Sequence, residues 1–140
     1  MKPAWTALVG GSCLVCNAAS TAFDGSSIDG VATPGGAMFS LARDNGAIQW
    51  LAPIADGIHY QGTTSGAAWT VDSNGNLDAF DATSGRPLLV RPLSVDAHSP
   101  VTNSTSSGVA IAEHMVFTEV GGLNGANTQT PGYVLAYGAR

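Results

Sequence analysis

The stretch Leu77 to Gly85, LDAFDATSG, decides how this chain is read, because the chain contains it more than once. Thirty-nine residues earlier, FSLARDNG (Phe39 to Gly46) follows the same pattern with its glycine in register. In each copy an apolar run ends at Leu41 or Phe80, and a polar turn closes on Gly46 or Gly85. A second extended run comes next, AIQWLAPI (Ala47 to Ile54) or RPLLVRPL (Arg86 to Leu93). YVLAYGAR (Tyr133 to Arg140) is a third copy that stops at the turn. Strand-turn-strand content at a period near 40 residues predicts an all-β fold, a partial β-propeller of four-stranded antiparallel blades.

Ala79 to Gly85, AFDATSG, resembles the alanine-x-aspartate-x-x-threonine-glycine core of the pyrroloquinoline-quinone (PQQ) repeat. That core continues to a tryptophan four residues on, present here as Trp50 after Gly46 and replaced by Leu89 after Gly85. The aspartate is kept only as Asp81, with Ala42 and Gly138 at the equivalent positions, and the threonine is Asn45 or Ser84. The resemblance runs from about Ser20 to the end and implies a propeller without implying that the quinone is bound. It also implies a periplasmic or secreted protein.

Composition agrees with short strands and tight turns: 44% of residues are apolar and only 11% charged, with 18 glycines. Five basic residues and a net charge of −5 argue against a nucleic-acid or anionic-membrane surface. No apolar run is long enough for a transmembrane segment.

The blades are expected at 18–54, 57–93 and, incompletely, 107–140, with residues 1–10 as the last strand of a preceding blade. Asp24-Gly25 and the Asn74-Gly75 step supply tight turns within them. Leu41, Phe80 and Tyr137 are expected to share one repeat position, and Ile28, Trp69 and Phe117 another, each buried between blades. Ala4 to Leu8 reads as a further outer strand, because Trp5 lies 45 residues before Trp50. The same apolar start, up to Cys13 and Cys16, has a second reading as a targeting segment, with Lys2 its one basic residue. About three blades fit where a closed ring takes roughly four to eight. Missing blades or self-association are therefore expected to cover the strand edges, and a C-terminal fragment of a longer propeller is the simpler expectation.

Three groups are candidates for chemistry. Cys13 and Cys16 form a C-x-x-C pair, open to a redox couple, half a zinc site or a local disulfide. His59 and His98 are one repeat period apart, which places both before a first blade strand, at the mouth of the expected axial channel. These four would suit a soft or borderline metal only if they converged, and ordinary loop roles are the expectation. The loop Gly121 to Pro131 is polar but lacks the carboxylates of a calcium site, and Asn103-Ser104-Thr105 matches a glycosylation sequon. Asp81 is expected to fix its turn by accepting backbone N–H bonds.

No catalytic residue, metal or cofactor is assigned. The expected function is a non-catalytic binding or assembly platform that takes a protein or small-molecule ligand at the propeller face. The alternative implied by the resemblance is a fragment of a quinoprotein alcohol or sugar dehydrogenase, which would require PQQ and calcium.

Overall fold

The two copies of the glycine turn fold alike. In the computed structural model, which describes residues 1–9, 21–32, 36–54, 62–64, 66–72, 74–97, 108–121 and 132–138, Gly46 N–H donates to Ala42 O (2.9 Å) and Gly85 N–H to Asp81 O (2.8 Å). Both glycines sit in the left-handed region, at φ +70° and +69°, where a β-carbon would be strained. Asp81 adds the brace expected of it, accepting from Ser84 N–H (2.9 Å), Ser84 Oγ–H (2.8 Å) and Thr83 N–H (3.2 Å). Ala42 has no side chain for this, and there Asn45 Oδ1 accepts from Ala47 N–H (2.9 Å) instead.

Around these turns the strands assemble into antiparallel sheets. The first blade is β1 (Ala22–Phe23), β2 (Ser27–Ala32), β3 (Ala37–Ala42) and β4 (Ile48–Pro53), hydrogen-bonded in that order. The second repeats it as β5 (Gly62–Thr64), β6 (Ala67–Val71), β7 (Asn76–Asp81) and β8 (Pro87–Pro92). The third is a three-stranded sheet of β9 (Val109–Ala112), β10 (Met115–Gly121) and β11 (Gly132–Gly138). The repeat is carried by register as well as order. Both outer hairpins are bulged at the same place, between Ser40 and Leu41 and between Ala79 and Phe80. Ile54 N–H to Gly36 O (2.7 Å) and Leu93 N–H to Gly75 O (3.0 Å) are likewise one period apart. The innermost strands β1, β5 and β9 lie side by side, so the sheets fan outward from them like propeller blades. The fold is all-β, a partial propeller.

Each sheet buries both faces where a neighbour is present. One face of the first blade offers Val31, Met38, Trp50 and Ala52 to Ala68 and Phe80 of the second, with the Trp50 and Phe80 rings stacked at 6.5 Å. The other face of the second blade offers Val71 and Leu77 to Val109, Val116, Leu135 and Tyr137 of the third. The first blade's remaining face, with Leu41 and Phe39, is covered by Trp5, Ala7 and Val9.

Three sequence expectations are corrected. Residues 1–9 form no strand, because no neighbouring strand among the described residues offers them a ladder. The trio Ile28, Trp69 and Phe117 is out of phase. Ile28 pairs with Leu41, whereas Ala68 pairs with Phe80 and Val116 with Tyr137, so the equivalents of Trp69 and Phe117 is the buried Asp29. The β2–β3 connection is one residue longer than β6–β7, and in a strand a one-residue offset moves a side chain to the other face. Trp69 keeps its own phase and packs, half-buried, against the cluster between the second and third blades. Finally, the run to Leu93 does not remain extended: Leu93–Ala97 is a short helix, α1, with Leu93 and Ala97 buried between the second and third blades.

Candidate binding cleft between the first two blades

The turns that close β1–β2 and β7–β8 meet at one end of the first two blades and border a cleft of about 480 Å³. Asp24, Ser26, Ser27, Gln49, Ala82 and Thr83 line it. Trp50 holds its two walls together. The indole of this β4 residue lies on Gly85, where a β-carbon would fall 2.7 Å from the ring, and its Nε1–H donates to Ala82 O at 2.9 Å. Glycine is required there twice over, for its φ and for the close approach of the ring.

Asp24 builds the first wall. Its Oδ1 accepts from Ser27 N–H (2.7 Å), Ser26 N–H (2.8 Å) and Ser26 Oγ–H (3.0 Å). The Ser27 and Ser26 backbone donors hold its carboxyl below the usual carboxylate range, so it is a fixed negative charge at the cleft. Asp81, beneath the second wall, is held low in the same way by Ser84. Gln49 bridges outward from the sheet: its Oε1 accepts from Ser27 Oγ–H and Ser40 Oγ–H, each at 3.0 Å. Its Nε2 hydrogens have no partner among the described residues. The cleft therefore presents acceptors from Asp24 and the Thr83 hydroxyl beside amide donors, a set suited to hydrogen-bonding a polar chain.

Beneath the cleft, polar pairs lie on the sheet faces that the first two blades turn to each other. Asp29 is paired in register with Ser40, and Asp78 with Thr70, all four buried. Asp78 Oδ1 has no hydrogen-bond donor among the described residues. Burial, with the negative charge of Asp72 second, pushes the Asp78 carboxyl up to about 7. Asp72 itself is committed to its turn, accepting from Asn74 N–H (2.9 Å), Asn76 N–H (2.8 Å) and Asn76 Nδ2–H (2.9 Å).

Cys13, Cys16, His59 and His98, the sequence candidates for metal or redox chemistry, lie outside the described residues, as do the sequon and most of the polar loop before β11. Among the described residues, no three His, Cys, Asp or Glu side chains gather to hold a metal ion. Sequence reading missed the cleft, because Asp24 and Thr83 were read only as parts of local turns, Gln49 as a strand residue, and the three meet only through the docking of one blade on the next. It also missed Asp29 and Asp78. The one signal for them was a charged residue at an inward position of an otherwise apolar strand.

No protein-family model matches the chain, and no curated protein matches it. Similar solved structures include the computationally designed Ika4 protein, with a TM-score of 0.56 at 9% identity over 82% of this chain and 68% of that one. Another is BamB from Moraxella catarrhalis, with a TM-score of 0.47 at 13% identity over 81% of this chain and 48% of that one. The likeness to Ika4 is one of fold alone. No helix among the described residues is long and apolar enough to cross a membrane.

Proposed function

We propose that the chain is a propeller scaffold whose non-catalytic role is to bind a protein partner at the turn face, in the cleft between the first two blades. The observation that carries this reading is the cleft's lining. Asp24, Ser26 and Ser27 are locked into one another, leaving a rigid hydrogen-bonding wall that faces the amide of Gln49 and the hydroxyl of Thr83. Rigid acceptors need no reordering when a partner arrives, which lowers the entropic cost of binding. The fixed charge of Asp24 favours a partner segment with a basic side chain, in keeping with the net charge of −5.

The test is capture of cellular proteins on the immobilised chain, compared with a Thr83→Arg variant. Only the backbone of Thr83 takes part in its turn, so arginine there fills the cleft while the Asp81 brace remains. A specific partner lost on Thr83→Arg, with an unchanged melting temperature, supports the proposal, and equal capture by both proteins overturns it. The dehydrogenase reading is tested alongside by adding PQQ and Ca²⁺ with an alcohol and an artificial electron acceptor. No turnover is expected from this chain.

A further inference from the structure

We propose that the outer face of the third blade and the free edge of β11 are covered by residues 1–9 and the first blade of a second copy of this chain, two three-bladed halves closing one six-bladed ring. The inference stands apart from the cleft and rests on two incomplete surfaces that fit each other.

The first is the N-terminal segment. Trp5, Ala7 and Val9 pack on the first blade as Trp50, Ala52 and Ile54 pack on the second. The agreement extends to atoms. Trp5 Nε1–H donates to Arg43 O at 2.8 Å, and Trp50 Nε1–H to Ala82 O at 2.9 Å, the two acceptors being one period apart. The Trp5 ring lies on Gly46 as Trp50 lies on Gly85, with a β-carbon 2.8 Å from Cδ2 in the first case and 2.7 Å in the second. Residues 5–9 thus set Trp5, Ala7 and Val9 as an outer strand sets Trp50, Ala52 and Ile54, with no strand to pair with among the described residues.

The second is the third blade, which has no outer strand among the described residues. β11 ends its sheet, with an unpaired edge among the described residues. Its face away from the second blade carries Ala110, Ala112, Met115, Phe117, Val134 and Ala136, with Glu119 as its one charge among the described residues. Val134 is 72% exposed, whereas its equivalents Met38 and Leu77 are 0% and 1% exposed. The register of the first blade sets Trp50 opposite Ser40 and Ala52 opposite Met38. Carried to the junction, it sets Trp5 opposite Ala136 of the second copy and Ala7 opposite Val134 of the second copy. Pairing there would satisfy the open backbone edge and bury the exposed apolar face at once.

Stoichiometry follows from ring size. For this 140-residue chain the described residues supply three blades, so two copies give six, within the roughly four to eight that propellers use, and three copies would give nine. The dimer has a two-fold axis along the ring, and the same junction occurs twice and closes.

Light scattering on the purified 140-residue chain is expected to give twice its 14.1 kDa mass. Val134→Arg should return it to a single chain, and Val90→Arg, another exposed site, on β8 away from the junction, should leave the dimer intact. In a second arm, Ala7→Cys chains and Val134→Cys chains, each with Cys13→Ser and Cys16→Ser, are oxidised separately and mixed. A disulfide-linked pair is expected only in the mixture. A cooperatively melting monomer, a polydisperse open array, or a dimer that survives Val134→Arg and forms no mixed disulfide would overturn the proposal.

Discussion

Asp78→Asn tests the polar pairs buried between the first two blades. Asp78 is 3% exposed on β7, its Oδ1 lacks a donor, and its carboxyl is pushed up from the ordinary 3.8 to about 7. A raised acid means that the folded chain holds a proton which the unfolded chain releases. Its stability is therefore greatest below the unfolded value near 4, falls as pH rises toward 7, and levels off above that. A rise of about three pH units at roughly 1.4 kcal/mol each sets an upper limit of about 4 kcal/mol, and relaxation around a newly charged Asp78 brings the expected effect to about 2–3 kcal/mol. Asparagine mimics the neutral acid. At pH 4.5, where the unfolded carboxyl is already mostly ionised, the variant should exceed the parent by at most about 1 kcal/mol, and at pH 8 by the full amount. Urea denaturation of both proteins at the two pH values gives the difference directly, and common effects of other carboxylates cancel. A difference independent of pH between 4.5 and 8 would refute the assignment, because Asp78 would then be charged in both states.

Gly85→Ala and Gly66→Ala form a matched pair at φ +69° and +72°, but only Gly85 meets an indole. Gly66→Ala should cost about 1 kcal/mol of backbone strain, and Gly85→Ala a further 1–3 kcal/mol from crowding Trp50, both read by thermal melts. Glu113 and His114 form the two-residue turn between β9 and β10 at φ +49° and +64°, so Glu113→Asn with His114→Gly should stabilise the chain by about 1 kcal/mol in the same assay. Asp96 on α1 accepts from Tyr137 Oη–H (2.8 Å) and Arg91 Nε–H (2.8 Å), and burial with this bond raises the Tyr137 phenol to about 12. Asp96→Asn should lower the midpoint of the phenol's ultraviolet titration without returning it fully to 10, since burial remains.

How much was legible depended on whether a residue acts within its own hairpin. Gly46, Gly85 and Asp81 act within four or five residues of themselves, and their spacing alone identified strands β3, β4, β7 and β8. The blade phase of β2 was harder. The strands on either side of its connection are of similar apolar character, so nothing local marks the extra residue that sets Asp29 level with Trp69 and Phe117. α1 was hidden for a related reason. Leu93 continues an extended apolar run, and only its burial against Val109 and Leu77 shows that the chain has turned a corner. The cleft was out of reach entirely, because its two walls lie more than fifty residues apart and meet through Trp50.

The repeat also shows why the third blade departs from the other two. Leu89 stands where Trp50 stands, and it is 37% exposed where Trp50 is 7% exposed. A leucine has neither the ring to lie on a glycine nor an N–H for a carbonyl, so the contact that pins the first two blades is missing between the second and third. Its place is taken by α1, which plugs the gap with Leu93 and Ala97 and carries Asp96 to Arg91 on one side and Tyr137 on the other. Tyr137 occupies the position of Leu41 and Phe80, so the same site that is purely apolar in two blades becomes a hydrogen-bond donor in the third. Loss of the tryptophan and gain of the tyrosine are thus one change in the chemistry of blade docking. An indole on a glycine is replaced by a phenol on a carboxylate, and the second needs a helix to supply the acceptor.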